Sequence, residues 1–158
     1  MEYIVRKARV RDVRGIYNTL RSFAEEELLL PRSYANIYEM LQTFHVAAGK
    51  DGDSPVMGIG ALQVAWEDLA EVRSLAVGKE HRGLGMGKAI TAAVERDARE
   101  LGVKKIFALT YVPEFFEKLG YARVGLDTLP QKVWAVCFNC VHYPDCKEIA
   151  VVKELRQT

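Results

Sequence analysis

Residues 71–88 have the sequence EVRSLAVGKEHRGLGMGK, in which a β-type run is joined to a helix by a glycine-rich turn. Glycines let the backbone approach a ligand closely and adopt conformations that a Cβ would forbid. Free amides at a helix N-terminus point at an anion, and the helix dipole favours negative charge there. Arg82 and Lys88 would add charge-assisted hydrogen bonds. The pattern therefore indicates a diphosphate site, and a tight strand-to-helix connection without a ligand is the alternative.

Two common nucleotide-binding motifs do not match this turn. A Rossmann fingerprint is expected in the first strand–helix unit, whereas several strand-type segments precede the turn here. The turn also lacks the Walker spacing GxxxxGK[ST]. The sequence thus argues against classical dinucleotide and nucleoside triphosphate sites.

Strand-type and helix-type segments precede the turn. The run YIVRKARV alternates as a strand, and Asp12 stands where the N-cap of a following helix is expected. Ser33 is expected to cap a second helix, which ends before the β-type run HVAAG. Two further strands, VMGIGALQVAW and LAEVRSLAV, are joined at Glu67 and Asp68, so a meander of three strands is predicted.

The segments after the turn complete the prediction. The run KAITAAVERDARELG predicts a helix that ends at Gly102, before the strand VKKIFALTYV. Such a crossover implies parallel pairing with the strand before the turn. A short helix, EFFEKLGY, stops at Gly120, and YARVGL is a further candidate strand. The sequence predicts an α/β domain with a mixed sheet, and the tail 130–158 is harder to assign.

Length and charge restrict the class of protein. The 158 residues, 49% of them hydrophobic, fit one domain over 1–158 that includes the cysteine-containing tail 130–158. With a formal net charge of +1, no broad field attracts nucleic acid or an anionic membrane. The N-terminus has no signal-peptide pattern, and no stretch is apolar enough to span a bilayer. We expect a cytoplasmic protein without nucleic-acid or membrane partners.

The three cysteines, Cys137, Cys140 and Cys146, lie close together with His142 between them. These four side chains could form a tetrahedral zinc site from a single loop. However, a single cluster of ligands with such short spacings is weak evidence for a zinc site. Reduced cysteines also commonly pack as small hydrophobic residues. We therefore favour the absence of a metal, with a closed structural zinc site as the alternative.

Arg82, Gly85 and Gly87 follow directly after a strand that ends in LAV. This pattern resembles the acyl-CoA signature of the GNAT superfamily of N-acetyltransferases, Arg/Gln-x-x-Gly-x-Gly/Ala. The segment FFEKLGY, residues 115–121, resembles a second element of that superfamily, FYEKLGF. The resemblance implies a mixed, twisted β-sheet flanked by helices, with EVRSLAV and KIFALTYV splayed apart around the pantetheine arm of acetyl-CoA. It also implies direct transfer of the acetyl group to an amine in a ternary complex.

The resemblance assigns most of the acyl-donor site to the same stretch. Backbone groups of residues 75–77 would hydrogen-bond the pantetheine arm as an additional strand does. Acetyl-CoA is thus the expected co-substrate. The residues implied to contact it are Leu75, Ala76, Val77, Arg82, Gly83, Leu84, Gly85, Met86, Gly87, Lys88 and Phe116.

Acetyl transfer to an amine requires a base and an oxyanion donor. The incoming ammonium must lose a proton, and Glu71, near the start of the central strand, is our candidate base. The alternative for Glu71 is a solvated acid paired with Arg73. A backbone amide at Leu75 or Ala76 can supply the fixed donor that the oxyanion needs.

The leaving thiolate has no obvious proton donor in this sequence. Many superfamily members have a tyrosine for this task at the position of Phe116. Tyr111 or Tyr121 could substitute, although each is more often a packed aromatic residue with a satisfied hydroxyl. Departure of the thiolate with the help of water is the alternative.

Four segments, LLLPRSYANIYEML, EVRSLAV, LTYVPEFFEKLGY and LPQKVWAVCFNCVHYPDC, are similar to the short, stand-alone N-acetylglutamate synthases of arginine biosynthesis. The resemblance implies that the acceptor is the α-amine of L-glutamate. Two carboxylates on one acceptor call for cationic partners, for which the candidates are Arg32, Arg73 and Lys132. An ordinary surface cation is the alternative for each of them.

Other acceptors and a different class of function remain open. The acceptor could be another small amine or a peptide N-terminus, whereas a polyamine pocket should be acidic, which the basic candidates argue against. A non-catalytic acyl-CoA sensor would keep the glycine turn and lose the chemistry, and Phe116 favours it. A homodimer is also compatible with the sequence.

Overall fold

The computed structural model describes residues 2–26, 28–29, 31–51, 55–130 and 148–156. This part of the chain contains seven strands and four α-helices. The strands are β1 Tyr3–Lys7, β2 Phe44–Gly49, β3 Gly58–Trp66, β4 Leu69–Val77, β5 Lys105–Thr110, β6 Ala122–Val124 and β7 Ile149–Glu154. The helices are α1 Val13–Glu25, α2 Tyr34–Glu39, α3 Met86–Glu100 and α4 Pro113–Glu117.

The strands form one mixed sheet in the order β1-β2-β3-β4-β5-β7-β6. The pairs β1/β2, β2/β3, β5/β7 and β6/β7 are antiparallel. The pair β4/β5 is parallel, which confirms the pairing predicted from the crossover through α3. Strand β7 lies in the tail that the sequence analysis could not assign, and it enters the sheet between β5 and β6.

The chain forms two compact units, Met1–Gln63 with Val72–Asp97 and Val64–Glu71 with Ala98–Thr158. The core of the first unit is built from α1, α2 and strands β2 to β4. Its buried residues are Val13, Ile16, Leu20, Ile37, Phe44, Val46, Ile59, Ala61 and Ala76. Spacings of three and four residues place the buried side chains of α1 on one face. A single domain over 1–158 stays a prediction.

Strand β3 of the first unit has helices on both faces. Ile59 and Ala61 belong to the cluster that packs against α1, whereas Gly58 and Gly60 face α3 because side chains alternate along a strand. A Cβ built on Gly60 would lie 2.5 Å from Cγ2 of Ile90, and one on Gly58 would lie 3.0 Å from Cδ1 of Ile90. The two glycines therefore allow α3 to pack close to the sheet.

The second unit has a smaller core of its own. Leu69, Phe107, Leu129 and Ala150 are buried together there. The register Leu69↔Lys105, Ala70↔Ile106 and Glu71↔Phe107 joins the start of β4 to β5 in this unit. Backbone hydrogen bonds from Lys105 to Asp68 and from Leu155 to Lys104 hold the strand ends in place.

Two predicted helix ends are confirmed. Ser33 Oγ accepts a hydrogen bond from the Asn36 amide at 3.0 Å and thereby caps α2. Gly102 has a φ of +86°, and the Val103 amide donates to the carbonyl of Ala98 at 3.0 Å, a Schellman-type end of α3.

Asp12 is at the predicted N-cap position of α1, but its side chain makes no capping hydrogen bond to the helix. Arg6 Nη1 and Nη2 donate to its two carboxylate oxygens at 2.7 and 3.1 Å, and the Arg9 amide donates at 2.7 Å. Burial alone raises the pKa of Asp12. The hydrogen bonds from Arg6 and Arg9 and the charges of Arg6 and Arg11 outweigh burial, so the pKa lies below its ordinary value.

The Arg6–Asp12 pair predicts an acid-sensitive contribution to stability. Because the pKa of Asp12 is lower in the folded chain, the contribution is complete above the ordinary value of 3.8 and is lost as pH falls through the folded value. The side chain at position 12 cannot titrate in Asp12→Asn. The unfolding free energy of this variant should therefore fall less steeply with decreasing pH than that of the parent, by up to about 1.4 kcal/mol per pH unit in this window. Urea unfolding between about pH 2.5 and 5 measures this difference. Equal slopes in the two proteins would contradict the prediction.

Candidate functional site

The glycine turn of residues 82–85, which we call the glycine loop, leads into the first turn of α3. Gly83 and Gly85 have φ values of +83° and +79°, in the left-handed region that favours glycine. The Ala89 amide donates to the carbonyl of Gly85 at 3.0 Å, so α3 starts at this glycine. The amides of Met86, Gly87 and Lys88 follow in the first helical turn, where amides have no acceptor within the helix. These donors suit an anion.

The space around the two loop glycines is open. A Cβ built on Gly83 would meet no heavy atom within 4 Å, and one on Gly85 would meet only Tyr3 Oη at 3.7 Å. The backbone conformation, rather than crowding by the protein, therefore requires glycine at both positions. The open face leaves room for a ligand beside the amides.

Contacts from outside hold the glycine loop and the 3₁₀ turn Lys79–His81 before it. Tyr3 Oη donates a hydrogen bond to the carbonyl of Leu84 at 3.1 Å. The guanidinium carbon of Arg82 lies 5.8 Å from the centroid of the Phe23 ring. Lys79 Nζ forms an ion pair with Glu26 Oε1. Arg82 and Lys88 are themselves exposed, as residues that bind a ligand anion from solvent should be.

Strand β4 contains a backbone feature that the sequence analysis missed. Ser74, in the middle of the strand, has a φ of +54°, which is uncommon for a residue other than glycine. The β4–β5 register ends at Glu71, before this residue. A left-handed residue in a strand is typical of a bulge, which redirects the groups that follow it. The amides of Leu75 and Ala76, our oxyanion candidates, come directly after Ser74.

Glu71 and Arg73 are half-buried and alternate with the buried residues Ala70 and Val72. Residues two apart on a strand share a face, so the candidate base and a candidate acceptor cation lie on one face of β4. Farther along the strand, Ala76 is buried in the core of the first unit. The side chain of Leu75 approaches Gly60, with Cδ1 3.4 Å from the position of a Cβ there.

Arg32 lies just before α2 in the first unit, where it is half-buried. Its guanidinium carbon is 5.1 Å from the centroid of the Phe44 ring. The neighbouring Tyr34 stacks on Tyr17 of α1, with ring centroids 4.0 Å apart and an interplanar angle of 15°. These contacts fix the segment that carries Arg32. The third candidate cation, Lys132, lies outside the described residues.

Phe116 in the second unit is 4% exposed. Its ring makes edge contacts with the rings of Phe115 and Tyr121, at centroid distances of 5.0 and 5.1 Å. Tyr121 is also 4% exposed, whereas Tyr111, which directly follows β5, is 37% exposed. Solvent therefore reaches Tyr111 more readily than Tyr121. The predicted contact of Phe116 with acetyl-CoA stays a prediction.

The described residues contain neither a cluster of metal-ligating side chains nor a helix suited to cross a membrane. No group of three or more His, Cys, Asp or Glu side chains lies close enough together in this part of the chain to hold a metal ion. The cluster of Cys137, Cys140, His142 and Cys146 lies outside it. None of the helices within the described residues has the length and apolar character needed to cross a bilayer.

The chain is similar in sequence to known acetyltransferases. The family described as Acetyltransferase (GNAT) matches residues 10–121. An uncharacterized N-acetyltransferase of Chlorobaculum tepidum is 38% identical over 151 residues, which are 96% of each chain. An amino-acid acetyltransferase of Mycobacterium tuberculosis is 37% identical over 121 residues, 77% of this chain and 69% of that one.

Solved structures show the same fold. A Mycobacterium tuberculosis protein in complex with CoA superposes with a TM-score of 0.82 at 29% identity, covering 97% of this chain and 99% of that one. N-acetylglutamate synthase from Neisseria gonorrhoeae, complexed with CoA and N-acetyl-glutamate, has a TM-score of 0.88 at 24% identity. This chain covers only 36% of the length of that enzyme, and at this identity the likeness concerns the fold alone.

Proposed function

The chain belongs to the acetyltransferase (GNAT) family, and from this premise we propose that it transfers the acetyl group of acetyl-CoA to the α-amine of L-glutamate. The main support for acetyl-CoA as the acyl donor is the glycine loop, where two left-handed glycines lead into the first amides of α3. The half-buried Arg32 and Arg73 support an acidic acceptor. The name of the Mycobacterium tuberculosis relative, an amino-acid acetyltransferase, supports the same class of acceptor.

In the proposed reaction the amine attacks the thioester carbon directly. Glu71, or a water molecule that it holds, removes a proton from the ammonium. A backbone amide at Leu75 or Ala76 stabilises the tetrahedral oxyanion, and the turn at Ser74 sets the direction of these amides. A C–N bond forms, the C–S bond breaks and CoA leaves as the thiolate. The exposed Tyr111 or a water molecule returns a proton to the sulfur.

The acceptor is tested by the release of CoA thiol from acetyl-CoA with a panel of amines. L-Glutamate should react best. L-Glutamine keeps the α-carboxylate but lacks the side-chain charge, so it should be poorer by roughly tenfold or more. A panel in which glutamate is inert and a polyamine or peptide amine reacts would overturn the acceptor assignment. CoA binding without thiol release from any amine would instead favour a sensor.

Arg32 is expected to contribute to the binding of the acceptor and not to the binding of acetyl-CoA. Arg32→Gln should raise the KM for L-glutamate by about tenfold, because a charged hydrogen bond of at least about 1.5 kcal/mol is lost at one substrate. The KM for acetyl-CoA should change little. Arg14→Gln, at an exposed arginine of α1, is the matched control. A glutamate KM for Arg32→Gln equal to that of the parent would remove Arg32 from the acceptor site.

A further inference from the structure

Phe23, which the sequence analysis does not single out, lies at the end of α1 beside the glycine loop. Its carbonyl accepts hydrogen bonds from the amides of Glu26 and Leu28 at 3.2 and 2.9 Å, so the chain leaves the helix around this residue. Its ring is half-buried and packs against the core of the first unit. The exposed guanidinium of Arg82 lies over this ring, 5.8 Å from its centroid. Phe23, which packs against the core, thus contacts the long side chain of Arg82 in the glycine loop.

Contact with an aromatic ring is compatible with anion binding by arginine. A cation is attracted to the face of the ring, whereas the five N–H donors of a guanidinium lie in its own plane and remain available. A free arginine side chain loses substantial rotamer freedom when it binds a phosphate. An arginine that already rests on a ring loses less of this freedom, so its donors are partly preorganised.

Two further contacts lie on either side of Arg82 in the chain. Tyr3 binds the carbonyl of Leu84, and Glu26 pairs with Lys79. The first contact holds a backbone carbonyl and the second joins two side chains, so neither of them restrains the guanidinium of Arg82. We propose that Phe23 is a positioning residue for the acyl donor: its ring holds Arg82 where the guanidinium binds the CoA diphosphate beside the amides of α3. The proposal rests on the proposed use of acetyl-CoA.

The proposal predicts that Phe23 affects CoA binding only through Arg82. Calorimetric titration of CoA compares the parent with Phe23→Leu, Phe23→Tyr, Arg82→Ala and the double variant Phe23→Leu/Arg82→Ala. Phe23→Leu should weaken CoA binding about two- to fivefold, which is the usual range for an exposed cation–π contact. Phe23→Tyr keeps the ring and should bind as the parent does. In the Arg82→Ala background, Phe23→Leu should cause no further loss.

Thermal unfolding of each variant shows that it is folded, and Phe23→Met replaces Phe23→Leu in the same comparison if the leucine variant does not fold. Equal losses from Phe23→Leu with and without Arg82 would mean that Phe23 acts through the core, which overturns the proposal. Unchanged affinity in Phe23→Leu, or in Arg82→Ala, overturns it too, while CoA binding itself would still stand. If the parent does not bind CoA, the proposed function fails instead.

Discussion

Glu71→Gln is expected to lower the rate of acetyl transfer at neutral pH by roughly 10² to 10⁴, which is the usual contribution of a general base. The amide keeps the size of the side chain but cannot accept the proton of the ammonium. Affinity for acetyl-CoA should stay nearly the same, because Glu71 acts on the acceptor rather than on the donor. Steady-state kinetics over a range of pH, with calorimetric binding of CoA, measures both quantities.

Glu67→Gln is the matched control for this experiment. Glu67 is an exposed acid in the turn before β4, four positions ahead of Glu71, and it has no proposed role. Its substitution should leave the rate and the pH profile unchanged. If Glu71→Gln also has the rate and pH profile of the parent, Glu71 is only an acid on β4, and another group or bulk water takes the proton.

Gly85→Val should weaken acetyl-CoA binding by on the order of a hundredfold in a protein that remains folded. Two effects combine at this position. Valine strongly disfavours the φ of +79° that Gly85 adopts before α3, so the first amides of the helix would shift. Its side chain would also occupy the open face of the loop, where the diphosphate is expected to approach. Calorimetry with CoA measures the loss.

Gly102→Val is the control that distinguishes a loss of CoA affinity from a loss of stability. Gly102 has a similar φ of +86°, and a Cβ on it would meet no heavy atom within 4 Å, but it lies at the other end of α3. This control should lower the unfolding free energy without changing CoA affinity. Parental CoA affinity in folded Gly85→Val would remove the glycine loop from the donor site and with it the basis of the proposed function.

Features with a strong local signal could be predicted from the sequence. Gly102 ends α3 because only glycine readily adopts the left-handed conformation there, and Ser33 caps α2 because its hydroxyl reaches the Asn36 amide. The glycine loop can be predicted for the same reason, because glycine favours the left-handed conformation. Glycine is needed at positions 83 and 85 because of the backbone conformation and not because of crowding, since the protein leaves the space around both residues open.

Features that depend on tertiary contacts could not be predicted. Asp12 has the residue type of an N-cap, but a half-buried arginine in β1 competes for its carboxylate. Ser74 gives no local signal for a left-handed conformation, because serine is not one of the residue types enriched at positive φ. Phe23 looks like one more apolar residue of an amphipathic helix until the structure places Arg82 against it.

The close packing of α3 on β3 restricts which substitutions can accumulate at two positions in this lineage. A methyl group added at Gly60 would overlap Cγ2 of Ile90, so an alanine there requires either a shift of Ile90 or a residue at 90 that lacks this methyl group. A β-branched replacement at 90 retains a second group on Cβ, whereas a residue without β-branching removes the overlapping methyl group. Positions 60 and 90 should therefore vary jointly during divergence. Since Ile90 lies about one turn beyond the glycine loop, we expect divergence at this contact in β3 to be linked to divergence at the start of α3.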